Sequence, residues 1–323
     1  MTLSLIERFR DRLAVTPATP VVSLGEGSTP LLRADRLARA AGVRELWLKW
    51  EASNPTGSYK DRGMTVAVSR ALEDGAEAVL CASTGNTAGS TAAYAARAGL
   101  PAVVLTPQGA VAGAKLAQTR MLGATVLEVR GDFDQALAAA QELAARGTHV
   151  LVNSLNPYRR EGQKTAVFEI VEELDGAPDA FVLPYGGGGN TSSYAQALRE
   201  LGLGTPIVSV EAALRRETLA TAIRIGDPVH AEAVAASDAR VVSVSDDELV
   251  AAWRTLAAEE GLFCEPSSAA GVAAVLRGDV EGERVVVTIT GHGLKDPALA
   301  DRLAPPLREV EPDADAIAAA ARP

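Results

Sequence analysis

Short apolar runs alternate along the chain with longer stretches in which small apolar residues recur at helical spacing. The runs are rich in β-branched residues and predict buried strands at 78–83, 102–107, 124–129, 149–154, 180–186, 206–212 and 284–290. Most of these runs are nearly continuous in apolar residues, which is typical of strands covered on both faces. The pattern therefore predicts parallel sheets with helices packed on either side.

Helical patterns fill the intervals between the predicted strands. They span 61–74, 88–98, 113–122, 133–146, 162–174, 192–201 and 246–260. Ser245 and Glu248 predict a capping box at the start of the last of these helices. Alternating strands and helices indicate parallel βαβ units, and seven or more strands exceed one small sheet. We therefore predict an α/β fold of two three-layer domains with mostly parallel sheets.

The chain has no linker rich in proline, glycine and serine that would mark a boundary between domains. We place a small α/β domain at 52–150 and a large domain at 151–323, with residues 1–51 packed on the large domain. The last stretch, 311–323, is acidic and rich in alanine, so we expect a frayed helix or disorder there.

Composition narrows the classes of function. A chain of 323 residues with 47% hydrophobic residues can form about two domains with sizeable cores. Its formal net charge of -10 and the lack of a basic block argue against nucleic acid as a partner. Cys81 and Cys264 lie far apart and the three histidines have no metal-ligand spacing, so we expect neither a disulfide framework nor a metal site.

Hydropathy also bears on the compartment. No apolar run reaches the roughly 18 residues that a membrane span requires. The charged first 15 residues lack the pattern of a signal peptide. We therefore expect a cytoplasmic protein without a membrane partner.

Candidate chemistry follows the predicted strands, because open α/β sheets bind ligands beyond the carboxyl ends of their strands. In the stretch 82–90, Ser83, Thr84, Asn86 and Thr87 lead directly into a predicted helix. The free N–H groups at a helix N-terminus can hold an anion such as a carboxylate. The same residue types are ordinary helix caps, and this stretch alone favours that simpler interpretation.

Four successive glycines, residues 186–189, join a predicted strand to a predicted helix. Glycine lets the backbone approach a ligand closely, and successive amides can surround a phosphate. A flexible linker is the alternative, but a linker would not join a buried strand directly to a helix. The spacings of the dinucleotide and P-loop motifs are both missing, so the loop predicts a different phosphate ligand.

Two further strand ends carry candidate ligands. Thr290 ends a predicted strand ahead of Gly291 and Gly293, so its hydroxyl is available to a ring nitrogen, unless the stretch is a simple turn. The stretch 152–165 offers amide, hydroxyl and cationic donors for a phosphorylated substrate. A solvated loop is the alternative there.

Lys60 lies in "PTGSYKDRG", a stretch loosened by two glycines and a proline. A lysine taken singly is most often a solvated surface residue. A lysine in a tight loop, a phosphate nest and a hydroxyl for a pyridine nitrogen are together what pyridoxal phosphate requires. The lysine amine forms a Schiff base with the aldehyde of that cofactor. The conjunction of the three features, rather than any one of them, favours this cofactor.

At these residues the chain resembles the threonine synthases, which belong to the fold-type-II (tryptophan-synthase-β-like) group of pyridoxal phosphate enzymes. The resemblance extends from 24–32 to 291–297 and rests on the motifs "NPTGSYKDRGM", "CASTGNTAGS", "NSLNPYRREGQKTA", "ATAIRIGDP", "CEPSSAAG" and "TITGHGLKDP". The first motif is shared with the broader group, including threonine dehydratases. "EGQKT" and "TGHGLKDP" are more specific to threonine synthases.

The resemblance implies a role for each candidate residue. Lys60 would be the Schiff-base lysine and general base, Asn86 would hydrogen-bond the ring hydroxyl of the cofactor, and Thr290 would face its pyridine nitrogen. The phosphate of the cofactor would be held by Gly186, Gly187, Gly188, Gly189 and Asn190. The substrate would be bound at its carboxylate by Ser83, Thr84 and Thr87 and at its phosphate by Asn153, Ser154 and Arg159, with Lys115 and Arg160 as further candidates.

The implied reaction converts O-phospho-L-homoserine and water to L-threonine and phosphate, and the implied assembly is a homodimer. Two features depart from the family: Gly187 and Gly188 stand in a loop that usually reads more like G-N-A-G-N, and the stretch 213–219 is shorter than in other members. The alternatives are a divergent fold-type-II lyase or β-substituting enzyme, and a threonine or serine dehydratase. Outside this chemistry, a non-catalytic phosphate-binding protein stays open, whereas a nucleotide-dependent enzyme lacks a fitting motif.

Overall fold

The computed structural model describes residues 3–109 and 116–321 of the chain. Within them the strands are β1 Leu31–Arg33, β2 Glu45–Trp50, β3 Ala78–Ala82, β4 Ala102–Pro107, β5 Thr125–Val129, β6 His149–Leu151, β7 Ala180–Pro184, β8 Ile207–Ala212, β9 Arg240–Val244 and β10 Arg284–Ile289. The helices are α1 Leu5–Phe9, α2 Asp35–Ala41, α3 Lys60–Glu73, α4 Asn86–Ala98, α5 Ala117–Met121, α6 Phe133–Ala145, α7 Pro157–Glu173, α8 Gly189–Leu201, α9 Ala231–Ala235, α10 Asp246–Glu260, α11 Ala270–Arg277, α12 Pro297–Leu303 and α13 Ala314–Ala320.

The described strands form two separate sheets. One has six strands in the order β1-β2-β10-β7-β8-β9, in which β1 runs antiparallel to β2 and the other neighbours are parallel. The other has four parallel strands in the order β5-β4-β3-β6. The prediction of an α/β fold with two mostly parallel sheets is confirmed.

Helices cover both faces of each sheet, which explains the continuous apolar runs of the central strands. On the six-stranded sheet, α2, α10 and α11 pack against one face and α1, α7 and α8 against the other. On the four-stranded sheet, α3 and α4 cover one face and α6 covers the other. The capping box predicted from Ser245 and Glu248 is present at the start of α10.

The expectation of buried strands was wrong for β5, whose residues are exposed or half-buried because β5 lies at an edge of its sheet. Three strands have no counterpart among the predicted runs: β1, β2 and β9. In β2 the charged Lys49 interrupts the apolar run, yet its side chain is buried in an ion pair with Glu169. Strand β9 is largely exposed at the other edge of the six-stranded sheet.

The helix predictions hold with shifted ends. Helices α7 and α8 begin earlier than expected, with Pro157 and Gly189 as their first residues. Of the helix predicted at 113–122, the structure has α5, whereas 113–115 lies outside the described residues. The C-terminal stretch contains α13, a helix without buried residues that Asp313 caps. In the described part of the chain, no helix is long and apolar enough to cross a bilayer.

Helix α3 lies between the two sheets. Val66 packs into the core beneath the six-stranded sheet, while Met64 and Val68 pack into the core of the four-stranded sheet. Its contact with α7 is very close, because a Cβ on Gly162 would lie 1.8 Å from the carbonyl oxygen of Arg62. No residue other than glycine fits at position 162 without moving a helix.

A buried ion network fixes the first turn of α3. The Arg62 guanidinium donates to Glu51 and to Glu169, with N–O distances of 2.6–2.8 Å. Lys49 lies 3.0 Å from Glu169, so two cations face two carboxylates inside the protein. Arg62 comes two residues after Lys60, and the network therefore constrains the backbone that carries this lysine.

Candidate active site

The loop before α3 is joined to the loop after β10 by backbone hydrogen bonds. The N–H group of Tyr59 donates to the carbonyl oxygen of Thr290 at 3.0 Å, and that of His292 donates to Gly57 at 2.9 Å. Lys60 is the first residue of α3. Residues some 230 positions apart in the sequence thus meet at one end of the six-stranded sheet, where the loop before α3 faces the loop after β10.

Lys60 is half-buried and turns back onto the preceding residue. Its Nζ atom donates to the hydroxyl oxygen of Tyr59 at 2.7 Å and lies 4.5 Å from the centre of the tyrosine ring. The amine is therefore held by a neutral partner rather than by a carboxylate. Such an amine is available to react with an aldehyde without first breaking an ion pair.

Thr290 is buried and lies in a group of polar side chains that the sequence analysis did not assign. Its hydroxyl oxygen is 2.8 Å from that of Ser268 and 3.4 Å from a carboxylate oxygen of Glu265. Glu265 also accepts two hydrogen bonds of 3.0 Å from the Nδ2 atom of Asn86. Both residues belong to the motif "CEPSSAAG", which was the available signal, but nothing in it indicated contact with Thr290 or Asn86.

The four glycines form the turn between β7 and α8. Gly188 has φ +81°, and a Cβ there would lie 3.1–3.2 Å from Tyr185, Val234 and His230. The buried Nδ2 atom of the next polar residue, Asn190, has no hydrogen-bond partner in the described structure. A positive φ, no side chains and an unmatched donor are properties of a backbone cradle for an anion.

His230 connects this turn to the substrate-side loop. Its backbone N–H donates to Gly187 at 3.0 Å, and its Nε2 atom lies 3.1 Å from the carbonyl oxygen of Ser154. Burial, and then the nearby positive charges of Arg160 and Lys60, lower the pKa of His230. Ser154 is thereby placed beside the glycines.

The stretch after β3 lies at the corresponding edge of the four-stranded sheet. Ser83, Thr84 and Thr87 are half-buried, and the Ser83 hydroxyl accepts a hydrogen bond of 3.3 Å from the N–H group of Gly85. Asn153 lies next to them, but its amide group is already bonded to both backbone groups of Ala82, at 2.8 and 2.9 Å. In the structure Asn153 therefore aligns two strand ends.

Arg159 is buried at the start of α7, and its Nη1 atom donates to the carbonyl oxygen of Val152 at 2.7 Å. Its Nε and Nη2 atoms have no partner in the described structure, nor does the Nε atom of Arg160. Burial lowers the pKa of Arg159, and the nearby Tyr59 acts in the opposite direction. A buried guanidinium with two unmatched donors is suited to an anionic ligand. Lys115, the other cationic candidate, lies outside the described residues.

Several features of this structure show that the site residues are suited to pyridoxal phosphate. Glycine amides and Asn190 form a cradle for a phosphate group, and a lysine amine is free of carboxylates. The hydroxyl of Thr290 supplies a neutral partner for a ring nitrogen. Of the eight buried side-chain polar atoms without a partner in the described structure, four lie on Arg159, Arg160 and Asn190. Unmatched donors are thus concentrated where anions are expected.

Comparison with known proteins gives the same result. The model of a family described as "Pyridoxal-phosphate dependent enzyme" matches residues 22–291. A protein named threonine synthase from Halalkalibacterium halodurans is 43% identical over 318 residues, covering 91% of this chain and 90% of its own. Another of that name from Mycobacterium leprae is 46% identical over 340 residues, covering 97% and 94%.

Solved structures resemble the fold. Maize serine racemase superposes with a TM-score of 0.78 at 22% identity, covering 93% of this chain and 95% of the maize chain. At this level of identity the likeness concerns the fold alone, since related folds host different reactions. The two-sheet architecture is thus that of a known fold.

Proposed function

Since the chain belongs to the pyridoxal-phosphate-dependent enzyme family, we propose that it converts O-phospho-L-homoserine and water to L-threonine and phosphate. The observation that carries this proposal is the identity of 43–46% to proteins named threonine synthase, over at least nine-tenths of this chain. The buried Arg159, with two unmatched donors, supports a substrate that bears a phosphate.

The cofactor of the family is pyridoxal phosphate. Lys60 would hold its aldehyde carbon, the glycine turn and Asn190 its phosphate, and Thr290 its ring nitrogen. When bound, the cofactor withdraws electrons from the substrate and makes its α-hydrogen acidic. A hydroxyl partner leaves the ring nitrogen largely without a proton, which moderates this withdrawal and discourages side reactions.

Residues of the protein carry out proton transfer and bind the substrate. Lys60 is the base that takes the α-hydrogen as a proton once its amine is free. Ser83, Thr84 and Thr87 at the start of α4 bind the carboxylate of the substrate, aided by the helix N-terminus. Ser154 and Arg159 bind its phosphate, so that the leaving group departs towards a cation. Asn153, expected from the sequence to share this role, has its amide bonded to Ala82 and instead supports the loop that carries Ser154.

A threonine or serine dehydratase is the nearest alternative. The substrate of a dehydratase has no phosphate, so the unmatched guanidinium of Arg159 would have no anion to bind in such an enzyme.

We also propose that residues 1–51 and 151–323 form the large domain and 52–150 the small one, and that the enzyme is a homodimer. The boundary at residue 150 falls within β6, which pairs with β3 of the four-stranded sheet.

The test is to incubate the protein, loaded with pyridoxal phosphate, with O-phospho-L-homoserine and to measure phosphate and threonine together. Equal amounts of both products are expected. Phosphate without threonine would contradict the reaction and favour a divergent lyase. Borohydride treatment followed by peptide mass spectrometry should place the cofactor on Lys60, and Lys60→Ala should lose the adduct.

A further inference from the structure

Tyr59 and Lys60 form a close pair at the start of α3. The Lys60 Nζ atom is 2.7 Å from the phenol oxygen and 4.5 Å from the centre of the ring, so the hydrogen bond and a cation–π contact act together. Tyr59 itself is fixed, because its backbone N–H donates to Thr290 at 3.0 Å. The backbone of Tyr59 is therefore anchored by the same loop that supplies the expected partner of the ring nitrogen.

Tyr59 also lies on the side of α3 that faces Arg159. Gly63, four residues after Tyr59, occupies the same helix face, and a Cβ there would lie 2.7 Å from the Nε atom of Arg159. Tyr59 contributes the first of the electrostatic effects that raise the pKa of Arg159 against the larger, lowering effect of burial. The phenol thus contacts the reactive amine and belongs to the side of α3 that packs against the guanidinium proposed to bind the substrate phosphate.

We propose that Tyr59 is a positioning residue whose hydroxyl holds the amine of Lys60 in place whenever that amine is not bonded to the cofactor. The proposal rests on the function proposed above, in which Lys60 takes the α-hydrogen. The phenol oxygen accepts a hydrogen bond from Nζ, and the phenol proton stays on the oxygen. Lys60 gains one proton and the α-carbon loses one, so the step balances without a change in Tyr59.

Holding the Lys60 amine in place matters because the lysine side chain is long and flexible. Four rotatable bonds separate Nζ from the backbone, and their freedom must be lost before the amine can meet the α-hydrogen. In the described structure the phenol is the hydrogen-bond partner of Nζ. The tyrosine therefore restricts the amine to one region of the site without neutralising it through an ion pair.

Tyr59→Phe tests the hydroxyl while keeping the ring. We expect kcat for O-phospho-L-homoserine to fall about 10- to 100-fold, with KM within about twofold of wild type, because the hydrogen bond from Nζ strengthens as the amine gains the proton and becomes charged. With the α-deuterated substrate, the isotope effect on kcat should increase, because removal of the α-hydrogen becomes slower than the other steps. The cofactor-free protein should also attach pyridoxal phosphate about tenfold more slowly, as followed by absorbance.

Tyr158→Phe is the matched control, since it also removes a phenol hydroxyl. The ring of Tyr158 contacts Arg70 rather than Lys60. This variant should leave the attachment rate and the isotope effect unchanged. Two results would overturn the proposal: wild-type values for Tyr59→Phe, or a fall in kcat with an unchanged isotope effect and a lowered melting temperature. If wild-type protein makes no threonine, the proposed function fails, whereas a slowed attachment in Tyr59→Phe would still support the role of the hydroxyl.

Discussion

The Nδ2 atom of Asn86 lies 3.0 Å from each carboxylate oxygen of Glu265. This contact joins the first residue of α4, beside the four-stranded sheet, to the segment that precedes α11, beside the six-stranded sheet. A carboxylate accepts from one amide nitrogen through both oxygens only when the two side chains are coplanar and close. The two halves of the site are therefore held together at Asn86, the residue expected to contact the ring hydroxyl of the cofactor.

Glu265→Gln should lower kcat/KM about tenfold. A glutamine has one acceptor oxygen, and its NH2 group faces either Asn86 or the hydroxyl of Thr290, so one of the present hydrogen bonds is lost. The measurement is steady-state kinetics together with titration of the cofactor-free protein with pyridoxal phosphate. Glu259→Gln, on the exposed side of α10, is the control and should change neither value. Equal kinetics for both variants would show that the contact is dispensable.

Gly188→Ala should weaken cofactor binding about tenfold and lower stability by about 1–2 kcal/mol. The stability cost comes from φ +81°, which an L-residue with a side chain rarely adopts. The added methyl group would also press on Tyr185, Val234 and His230 and displace the turn. Equilibrium titration with pyridoxal phosphate and urea unfolding give the two quantities.

Gly202→Ala is the control that separates the effect of backbone strain on stability from the effect of the glycine turn on cofactor binding. Gly202 ends the same helix with φ +66°, and a Cβ there meets no atom within 4 Å. This variant should share the loss of stability but keep the cofactor affinity of the wild type. Similar affinities for the two variants would contradict the role proposed for the glycine turn.

Arg159→Ala should raise KM for O-phospho-L-homoserine about 100-fold, since the lost interactions are charge-assisted hydrogen bonds to a phosphate. Inhibition by inorganic phosphate should weaken by a similar factor, which a general loss of activity would not produce. Arg199→Ala, on the exposed face of α8, is the control. An unchanged KM with normal phosphate inhibition would remove the main structural argument against a dehydratase.

The fold could be predicted from the sequence because strands that are buried on both faces are recognisable as apolar runs. The central strands β3, β4, β7, β8 and β10 are mostly apolar runs, and the predicted bounds of each lie within two residues of the observed ones. Strand β2 could not be found in this way, since lysine is typical of surfaces and the buried partner of Lys49, Glu169, is known only from the structure. The edge strands β1 and β9 have too few buried residues to show the same pattern.

The candidate site was predictable where chemistry follows a predicted strand directly, as it does at the glycines and Thr290. Lys60 follows no strand directly, and it was selected because of its loop and its conjunction with the other two features. The contacts between these stretches were not predictable, because they depend on which strand ends lie side by side. Glu265 and Ser268 acquire their roles only from the pairing that brings Thr290 next to them. For Tyr59, sequence shows a neighbour of the lysine, whereas the side-chain rotamer decides that its hydroxyl meets Nζ.

Glu169→Gln should destabilise the protein by about 3–5 kcal/mol near neutral pH, because Arg62 and Lys49 would lose a shared counterion in the interior. Burial raises the pKa of Glu169, but the two cations outweigh burial and lower it from 4.5 to about 2. A lowered pKa contributes stability above pH 4.5 that is lost as the pH falls towards 2. Urea unfolding from pH 3 to 7 should show the cost of the variant increasing with pH and then levelling above about pH 5.

Asp61→Asn should show the opposite dependence on pH. Burial raises the pKa of Asp61 from 3.8 to about 6, although Thr56 and Ser90 donate hydrogen bonds to its carboxylate. The folded state therefore favours the protonated acid, and the stability that this preference contributes is full below pH 3.8 and lost as the pH rises through 6. Relative to wild type, the variant should become more stable by up to about 3 kcal/mol between pH 4 and 7.5. Urea unfolding of both proteins across this range measures the difference. Asparagine has one acceptor oxygen, so it also loses a hydrogen bond that Asp61 accepts, and the titration of Asp61 adds a part that varies with pH. A difference that stays constant with pH would contradict the burial argument.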